Sequence, residues 1–253
     1  QPEKTAEGFR VTSPSFRFDI EIEADLIEEI GRVYGYENIP DDYTSGRLKM
    51  LVLPETKRPR FTVYNEMAAR GYREVVSYAF VDEQWEQDFA ANTNPIRLQN
   101  PLAAQYAVMR STLIGGLVEV LQNNLNRKQN RVRVFEIARV FSKDSADQFV
   151  QNERIGGLWY GSVLPEQWGE KTRNVDFYDM KADVESLLKN KEVSFVKTEH
   201  PALHPGRAAN IVSDGRVVGF VGELHPKWLQ KYDLPQAPLV FEIDMDAVLG
   251  REK

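Results

Sequence analysis

Residues 16–23 alternate apolar and charged side chains, a period of two that predicts a β-strand with one buried face. The apolar positions then recur at helical spacing. Asp25 is predicted to be the N-cap of this helix, with Glu28 three residues later completing a capping box, and Gly35 predicts its end. The segment therefore predicts a small unit in which a strand precedes a helix.

Residues 41–56 have mixed composition with turn-forming residues at both ends, which is typical of a connection between domains. We place a domain boundary within them. The prediction is a small module over residues 1–45 and a larger domain over residues 46–253.

The larger domain begins with a predicted helix from about Lys57 to Arg70, stopped by Gly71, and a strand around 74–80. A second helix starts near Leu113, where leucines recur every four residues. The predicted strands that follow are 131–141, 154–161, 193–198, 209–213, 216–221 and 239–244, and one helix, 176–189, interrupts them. Asp214 and Gly215 predict a hairpin turn. A run of mostly antiparallel strands with helices to one side predicts an α+β fold.

Composition excludes several classes of protein. The 253 residues can bury a large core, and the absence of cysteine excludes disulfides, thiolate metal sites and a cysteine nucleophile. No apolar run approaches the ~20 residues of a membrane-spanning helix, so we expect no membrane segment and a cytoplasmic protein. The first residue is not Met and no signal peptide follows it, so we expect the chain to be part of a longer one. A net charge of -6 restricts any RNA contact to a local patch.

A short basic stretch between the leucine-rich helix and the next strand is the best local candidate for such a patch. Arg127, Lys128, Arg131 and Arg133 lie there with no acidic residue among them. The alternative is a solvated connection between two elements, which is the commoner role of a short basic run.

Four carboxylates are concentrated in the small module, at Asp19, Asp25, Glu28 and Glu29. Hard cations such as Mg²⁺ prefer oxygen ligands, and one or two carboxylates with retained waters suffice to bind them. The alternative is structural, because acids in the first turn of a helix cap it and complement its dipole. Spacing alone favours the structural alternative.

The remaining chemical candidates are weak. His200, His204 and His225 each precede a proline, which opposes a shared helical face and favours turns over a zinc site. Glu136 lies on an apolar strand face, so if that face is buried its charge must be paired. No nucleophile and base occur at a recognisable spacing, so we predict no catalytic residue.

The segment from 13 to 40, with PSFRFDIEIEADLIEEIGRVYGYENIP at its core, resembles bacterial phenylalanyl-tRNA synthetase β subunits. The resemblance continues in order through NPLAAQYAVMRSTLIGGLVEVLQNNLNR, RVRVFEIARVF, FYDMKADVESLL, HPGRAANIV, VGFVGELHP and VFEIDMDAVL, and so covers nearly the whole chain. It implies a class II aminoacyl-tRNA synthetase-like antiparallel sheet flanked by helices, preceded by a small α/β remnant.

The resemblance also implies a metal site and partners. By this resemblance, Asp19, Asp25, Glu28 and Glu29 are expected to be the ligands of Mg²⁺. The metal site is expected to lie near the contact with a catalytic α subunit. It implies an (αβ)₂ heterotetramer that attaches phenylalanine to tRNA(Phe) with ATP. Modules for editing and tRNA binding are expected upstream of Gln1, and an anticodon-binding module after Lys253.

The motifs that bind ATP in class II enzymes are degraded in this sequence. The second motif places an Arg two residues before its Glu, but Val134 stands at that position before Glu136. The third motif ends in an Arg, whereas this chain has the acids Glu242, Asp244 and Asp246, which would repel a triphosphate. We therefore predict a domain without its own aminoacylation centre, whose work is assembly with the α subunit. The alternatives are an RNA-contacting module using the basic stretch and a stand-alone nucleotide-binding enzyme, which the degraded motifs oppose.

Overall fold

The computed structural model describes residues 2–50, 58–144, 146–189 and 191–250. The chain falls into two compact units, Gln1–Val52 and Leu53–Lys253. Each unit is described by itself below.

The small unit contains a short hairpin and one long helix. Strand β1 (Glu3–Lys4) pairs antiparallel with β2 (Phe9–Arg10), and helix α1 (Glu23–Tyr34) is followed by a single 3₁₀ turn (Tyr36–Asn38). Gly35 ends α1 as predicted: its φ of 94° lies in the region that favours glycine, and its N–H donates to the Gly31 carbonyl at 2.9 Å.

The predicted strand over residues 16–23 is wrong. The backbone there turns instead: the Arg17 N–H donates to the Pro14 carbonyl at 3.0 Å, and the Ser13 hydroxyl donates to the Ile20 carbonyl at 2.8 Å. Within residues 2–50 only β1 and β2 form a strand pair, so the alternating segment has no neighbouring strand to complete its hydrogen bonds. Its period of two therefore does not produce a strand here.

The predicted helix cap is displaced by three residues. Helix α1 begins at Glu23, and the Asp25 carboxylate accepts hydrogen bonds from the N–H groups of Glu21 and Ile22 at 2.8 and 2.9 Å. Asp25 thus performs the reach-back contact of a capping box, the role that we predicted for Glu28.

The larger unit contains one main sheet and six α-helices within the described residues. The helices are α2 (Arg60–Ala69), α3 (Glu83–Ala90), α4 (Ile114–Asn126), α5 (Phe177–Leu187), α6 (Pro226–Lys231) and α7 (Met245–Leu249). The strands are β3 (Arg73–Glu74), β4 (Phe80–Val81), β5 (Val108–Met109), β6 (Val132–Lys143), β7 (Phe149–Tyr160), β8 (Val193–Lys197), β9 (Leu203–Ser213), β10 (Arg216–Leu224) and β11 (Leu239–Asp244).

Seven of these strands form the main sheet in the order β3-β6-β7-β11-β10-β9-β8. All neighbours pair antiparallel except β3 and β6, which are parallel, and β4 and β5 form a separate pair. The predicted α+β fold with a mostly antiparallel sheet is confirmed. The strand predicted around 74–80 is wrong as one element, because its two ends belong to β3 and β4. The predicted start of the first helix at Lys57 lies outside the described residues.

The hairpin predicted at Asp214 and Gly215 joins β9 to β10, with Arg216 opposite Ser213. Both turn residues have positive φ, 52° and 72°, as a tight hairpin of this hand requires.

Each face of the main sheet carries its own hydrophobic core. Alternate residues of β6 point to opposite faces, so Phe135 and Ile137 join the core with α2, α5 and α7, whereas Val134 and Val140 join the core with α3, α4 and α6. The predicted leucine spacing of α4 supplies Leu117 and Leu121, both fully buried, to the second core. None of the helices in the described ranges has the length and apolar character needed to cross a bilayer.

Candidate functional site

The predicted metal ligands Asp19 and Glu29 are held together by an arginine. Arg17 Nη2 lies 2.8 Å from Asp19 Oδ2 and 2.6 Å from Glu29 Oε1, and Arg32 Nη2 lies 2.6 Å from Glu29 Oε2. The hydrogen bond from Arg17 is the main cause that lowers the pKa of Asp19, and it also lowers the pKa of Glu29 to about 2. Two carboxylates of the predicted set are therefore ionised and paired with guanidinium groups.

The other two predicted ligands do not join this pair. Asp25 is occupied by the backbone N–H groups at the start of α1, and its hydrogen bond from Ile22 is the main cause that lowers its pKa. Glu28 is exposed on the same helix. Across the described residues, no group of three or more acids and histidines lies close enough to hold a metal ion. The donor chemistry of the four carboxylates suits Mg²⁺, and in this structure Arg17 supplies the positive charge beside two of them, Asp19 and Glu29.

The predicted basic stretch divides into exposed and engaged residues. Arg127 and Lys128 are exposed at the end of α4, where Lys128 adopts a positive φ of 63°. Arg131 instead donates to the carbonyls of Ser162 and Val163 at 3.0 and 2.9 Å. Of the four basic residues in this stretch, Arg127 and Lys128 are the ones whose charged side chains are exposed to a partner in solution.

Arg133 is committed to the core. Its guanidinium carbon lies 3.5 Å from the ring centroid of Trp159 and 4.4 Å from that of Tyr72, and its Nη2 lies 2.6 Å from Asp183 Oδ2. Asp183 is only 3% exposed and also accepts from Arg70 and from the Tyr72 hydroxyl. This buried cluster ties α2, β6 and α5 together, and the sequence pattern gave no signal for it.

Glu136 is buried and paired, as the burial argument required. Arg110 Nη1 lies 3.0 Å from Glu136 Oε1, and both side chains are at least 95% buried. The Ser77 hydroxyl donates to Oε2 at 2.7 Å. With its two oxygens engaged, Glu136 is a structural anchor between β6 and the segments before β4 and α4.

Glu242 is also fully engaged. Its Oε2 accepts from the Thr112 hydroxyl at 2.6 Å and from the Leu113 N–H at 2.8 Å, while its Oε1 lies 2.6 Å from Arg154 Nη1. The carboxylate thus binds the entry to α4 onto β11. Asp244 is more exposed and pairs with Arg154 at 3.0 Å.

The sheet face that carries Val134, Glu136 and Glu242 is filled by side chains. Val134 is 5% exposed and belongs to the core beneath α4. A Cβ atom added at Gly156, on the neighbouring strand, would lie 3.1 Å from Leu113 and 3.3 Å from Leu117, so α4 approaches the backbone closely. The residues around Val134 therefore leave no space for a nucleotide phosphate.

The prediction that the three histidines lie in turns is wrong for His204, which lies in β9; His200 precedes a turn at residues 201–202, and His225 is the N-cap of α6. The Nδ1 atoms of His200, His204 and His225 each accept the backbone N–H two residues later, at 3.2, 3.0 and 3.0 Å. Burial lowers the pKa of His200 to about 4, so it stays neutral at neutral pH. These contacts explain the histidines as structural groups.

Comparison with known proteins identifies both units. A family model described as "Phenylalanyl tRNA synthetase beta chain CLM domain" matches residues 39–245, and one described as "tRNA synthetase B5 domain" matches residues 1–36. The phenylalanine–tRNA ligase beta subunit of Neisseria meningitidis serogroup B is 91% identical over 98% of this chain and 32% of that protein. The corresponding subunit of Chromobacterium violaceum is 58% identical over 97% of this chain and 31% of that protein. The chain thus spans about a third of the length of these relatives.

A solved structure shares the fold at low sequence identity. Pyrrolysyl-tRNA synthetase from Desulfitobacterium hafniense superimposes with a TM-score of 0.54 at 10% identity, covering 76% of this chain and 66% of that one. The likeness concerns the fold alone.

Proposed function

The chain belongs to the phenylalanyl-tRNA synthetase beta chain family, and we propose that it is a non-catalytic part of a phenylalanine–tRNA ligase β subunit. Its work is to support and assemble with the catalytic α subunit in an (αβ)₂ heterotetramer, which charges tRNA(Phe) with ATP. We also propose that the main sheet has the form found in class II synthetases and that the unit preceding it is a small α/β module.

The observation that carries the non-catalytic role is the occupied sheet face. In the resemblance to class II enzymes, the ATP-contacting arginine of the second motif falls at Val134, which is buried beneath α4. Two acids on the same sheet face, Glu136 and Glu242, are bound to Arg110 and Arg154. A face with packed apolar side chains and neutralised acids offers a triphosphate neither space nor positive charge.

Assembly with the α subunit is tested by co-purification from cells that express both full-length subunits. We expect a tagged β subunit to retain α, and a β variant that lacks residues 58–250 to lose it, because the proposed interface lies in the larger unit. A full-length β subunit with the exposed substitution Glu185→Ala serves as the control and should retain α. If the deleted variant still retains α at an undiminished ratio, the assembly role is refuted.

For the predicted Mg²⁺ site we propose that a divalent cation competes with Arg17 for the carboxylates of Asp19 and Glu29. The support is the guanidinium bridge between these two acids and the oxygen-only character of the four predicted ligands.

In the full-length assembled enzyme, Arg17→Gln is then expected to bind Mn²⁺, a spectroscopic substitute for Mg²⁺, about tenfold more tightly than the unsubstituted protein, since one competing positive charge is removed. Electron paramagnetic resonance of free Mn²⁺ measures the affinity. Arg10→Gln, an exposed change in the same unit, should leave it unchanged. Equal or weaker binding by Arg17→Gln would exclude the competition.

The RNA-contacting alternative now depends on Arg127 and Lys128, the two exposed members of the basic stretch. Contact between tRNA and these residues stays a prediction. Neutralising both should reduce the salt dependence of tRNA binding if they contact phosphates.

A further inference from the structure

A small pocket in the larger unit combines aromatic walls with an acidic group. It lies between the segment before α3 and the first turns of α4, and its volume is about 200 Å³. Its walls are the rings of Tyr78, Phe80, Trp85 and Tyr106, and its acids are Asp82 and Glu119. All six residues lie within the larger unit, and none of them takes part in the ion pairs described above.

Two of the aromatic rings, those of Phe80 and Tyr106, pack against Tyr78. The Tyr78 and Phe80 centroids are 6.3 Å apart with an interplanar angle of 27°, and the Tyr78 and Tyr106 centroids are 5.2 Å apart at 47°. Tyr78 is 60% exposed, so its ring is accessible from solvent. Aromatic faces carry negative potential and attract organic cations.

Two glycines of α4 bring the pocket walls together. A Cβ atom at Gly115 would lie 2.6 Å from the Trp85 ring, and one at Gly116 would lie 2.4 Å from the Ser77 hydroxyl. The absence of side chains at these positions lets both walls approach the helix. Glu119, one turn after these glycines, then lines the pocket as well.

Glu119 and the aromatic rings have no basic partner among the described residues. The cation–π contacts in that part of the chain involve other rings. Its ion pairs do not include Glu119. Asp82, the other acid of the lining, has Oδ1 occupied as the cap of α3 by the Gln84 N–H at 2.8 Å. Among the described residues, Glu119 is therefore the acid of the lining with neither oxygen engaged in a hydrogen bond or an ion pair.

We propose that this pocket binds a guanidinium group. The planar, weakly hydrated guanidinium stacks on aromatic rings and pairs with a carboxylate through two N–H donors, whereas an ammonium is more strongly hydrated. The volume is below the about 300 Å³ of pockets for drug-sized ligands, and it suits the end of one arginine side chain or a small guanidine.

Binding is measured on the full-length β subunit in its assembled enzyme, with N-acetylarginine amide as the probe and saturation-transfer NMR as the readout. The wild type should bind the probe and reject N-acetylcitrulline amide, which has nearly the same shape without the charge. Glu119→Gln and Tyr78→Ala should each weaken binding about tenfold, through loss of the carboxylate and of the central ring. Glu192→Gln, an exposed acid on another part of the surface, should change nothing.

Two results would support the proposal and distinguish the source of the group. Binding of the free probe identifies an open guanidinium site. Rejection of the probe, together with an arginine side chain of another segment seen in the pocket by cryo-electron microscopy of the assembled enzyme, identifies a protein-borne ligand.

The proposal is overturned if the probe does not bind and no arginine occupies the pocket. It is also overturned if the citrulline analogue binds as tightly as the arginine probe, or if neither Glu119→Gln nor Tyr78→Ala weakens binding of the arginine probe.

Discussion

Asp183→Ala is expected to destabilise the larger unit by about 3–5 kcal/mol. The Asp183 carboxylate accepts from Arg70 Nη1 at 2.6 Å, from Arg133 Nη2 at 2.6 Å and from the Tyr72 hydroxyl at 2.8 Å. Its removal leaves Arg133, whose side chain is only 12% exposed, with a positive charge in the core and no carboxylate to neutralise it. Stacking on Trp159 retains part of the stabilisation but cannot replace the charge pair.

Urea unfolding followed by tryptophan fluorescence measures this effect. The four tryptophans of the chain all lie between residues 85 and 228, so the signal reports the larger unit. Glu185→Ala, two residues away on the same helix, is the matched control. Its carboxylate is 49% exposed and pairs with Lys181 at 2.8 Å, so we expect a loss of about 0.5 kcal/mol or less. Equal losses from the two substitutions would contradict the buried cluster as a major source of stability.

Val134→Arg is expected to unfold the larger unit rather than restore a nucleotide site. The substitution puts an arginine where the resemblance to class II enzymes predicts the second-motif arginine, but Val134 is 5% exposed within a packed core. The nearby Glu136 cannot serve as its partner without releasing Arg110. A large side chain with an unpaired charge in this place costs more than about 4 kcal/mol.

The same urea titration measures the loss, and ATP titration of any folded fraction checks for a regained site. Ser142→Arg places the same side chain at an exposed position of the same strand and should cost about 0.5 kcal/mol or less. A Val134→Arg protein that keeps its stability and binds ATP at micromolar concentration would show that the face is open.

Local sequence patterns correctly predicted the structural elements that are determined by a few neighbouring residues. The leucine spacing predicted α4 because one face of that helix is buried, and Asp214 with Gly215 predicted the turn between β9 and β10 because the turn needs positive φ. The strand over residues 16–23 failed for the opposite reason. A strand needs a neighbour, and alternation within one segment carries no information about whether a neighbour exists.

The ion pairs also show that local sequence patterns do not predict contacts between distant residues. The sequence predicted that Glu136 must be paired if its face of β6 is buried, but its partner Arg110 lies 26 positions earlier and no spacing rule connects them. Asp183 and Arg70 are 113 positions apart. At the acidic corner, the sequence showed four candidate ligands, but the position of Arg17 between Asp19 and Glu29 depends on the turn that replaced the predicted strand. Contacts between distant segments are set by the fold, so residue types alone do not predict them.

The number of ATP molecules bound by the assembled enzyme tests the non-catalytic role most directly. Equilibrium dialysis of the full-length α and β subunits against a non-hydrolysable ATP analogue gives this number per αβ pair. We predict one site per pair, contributed by the α subunit, because the corresponding face of the β subunit is filled around Val134. Two sites per pair, with the second abolished by substitutions on β6 or β11, would contradict the account.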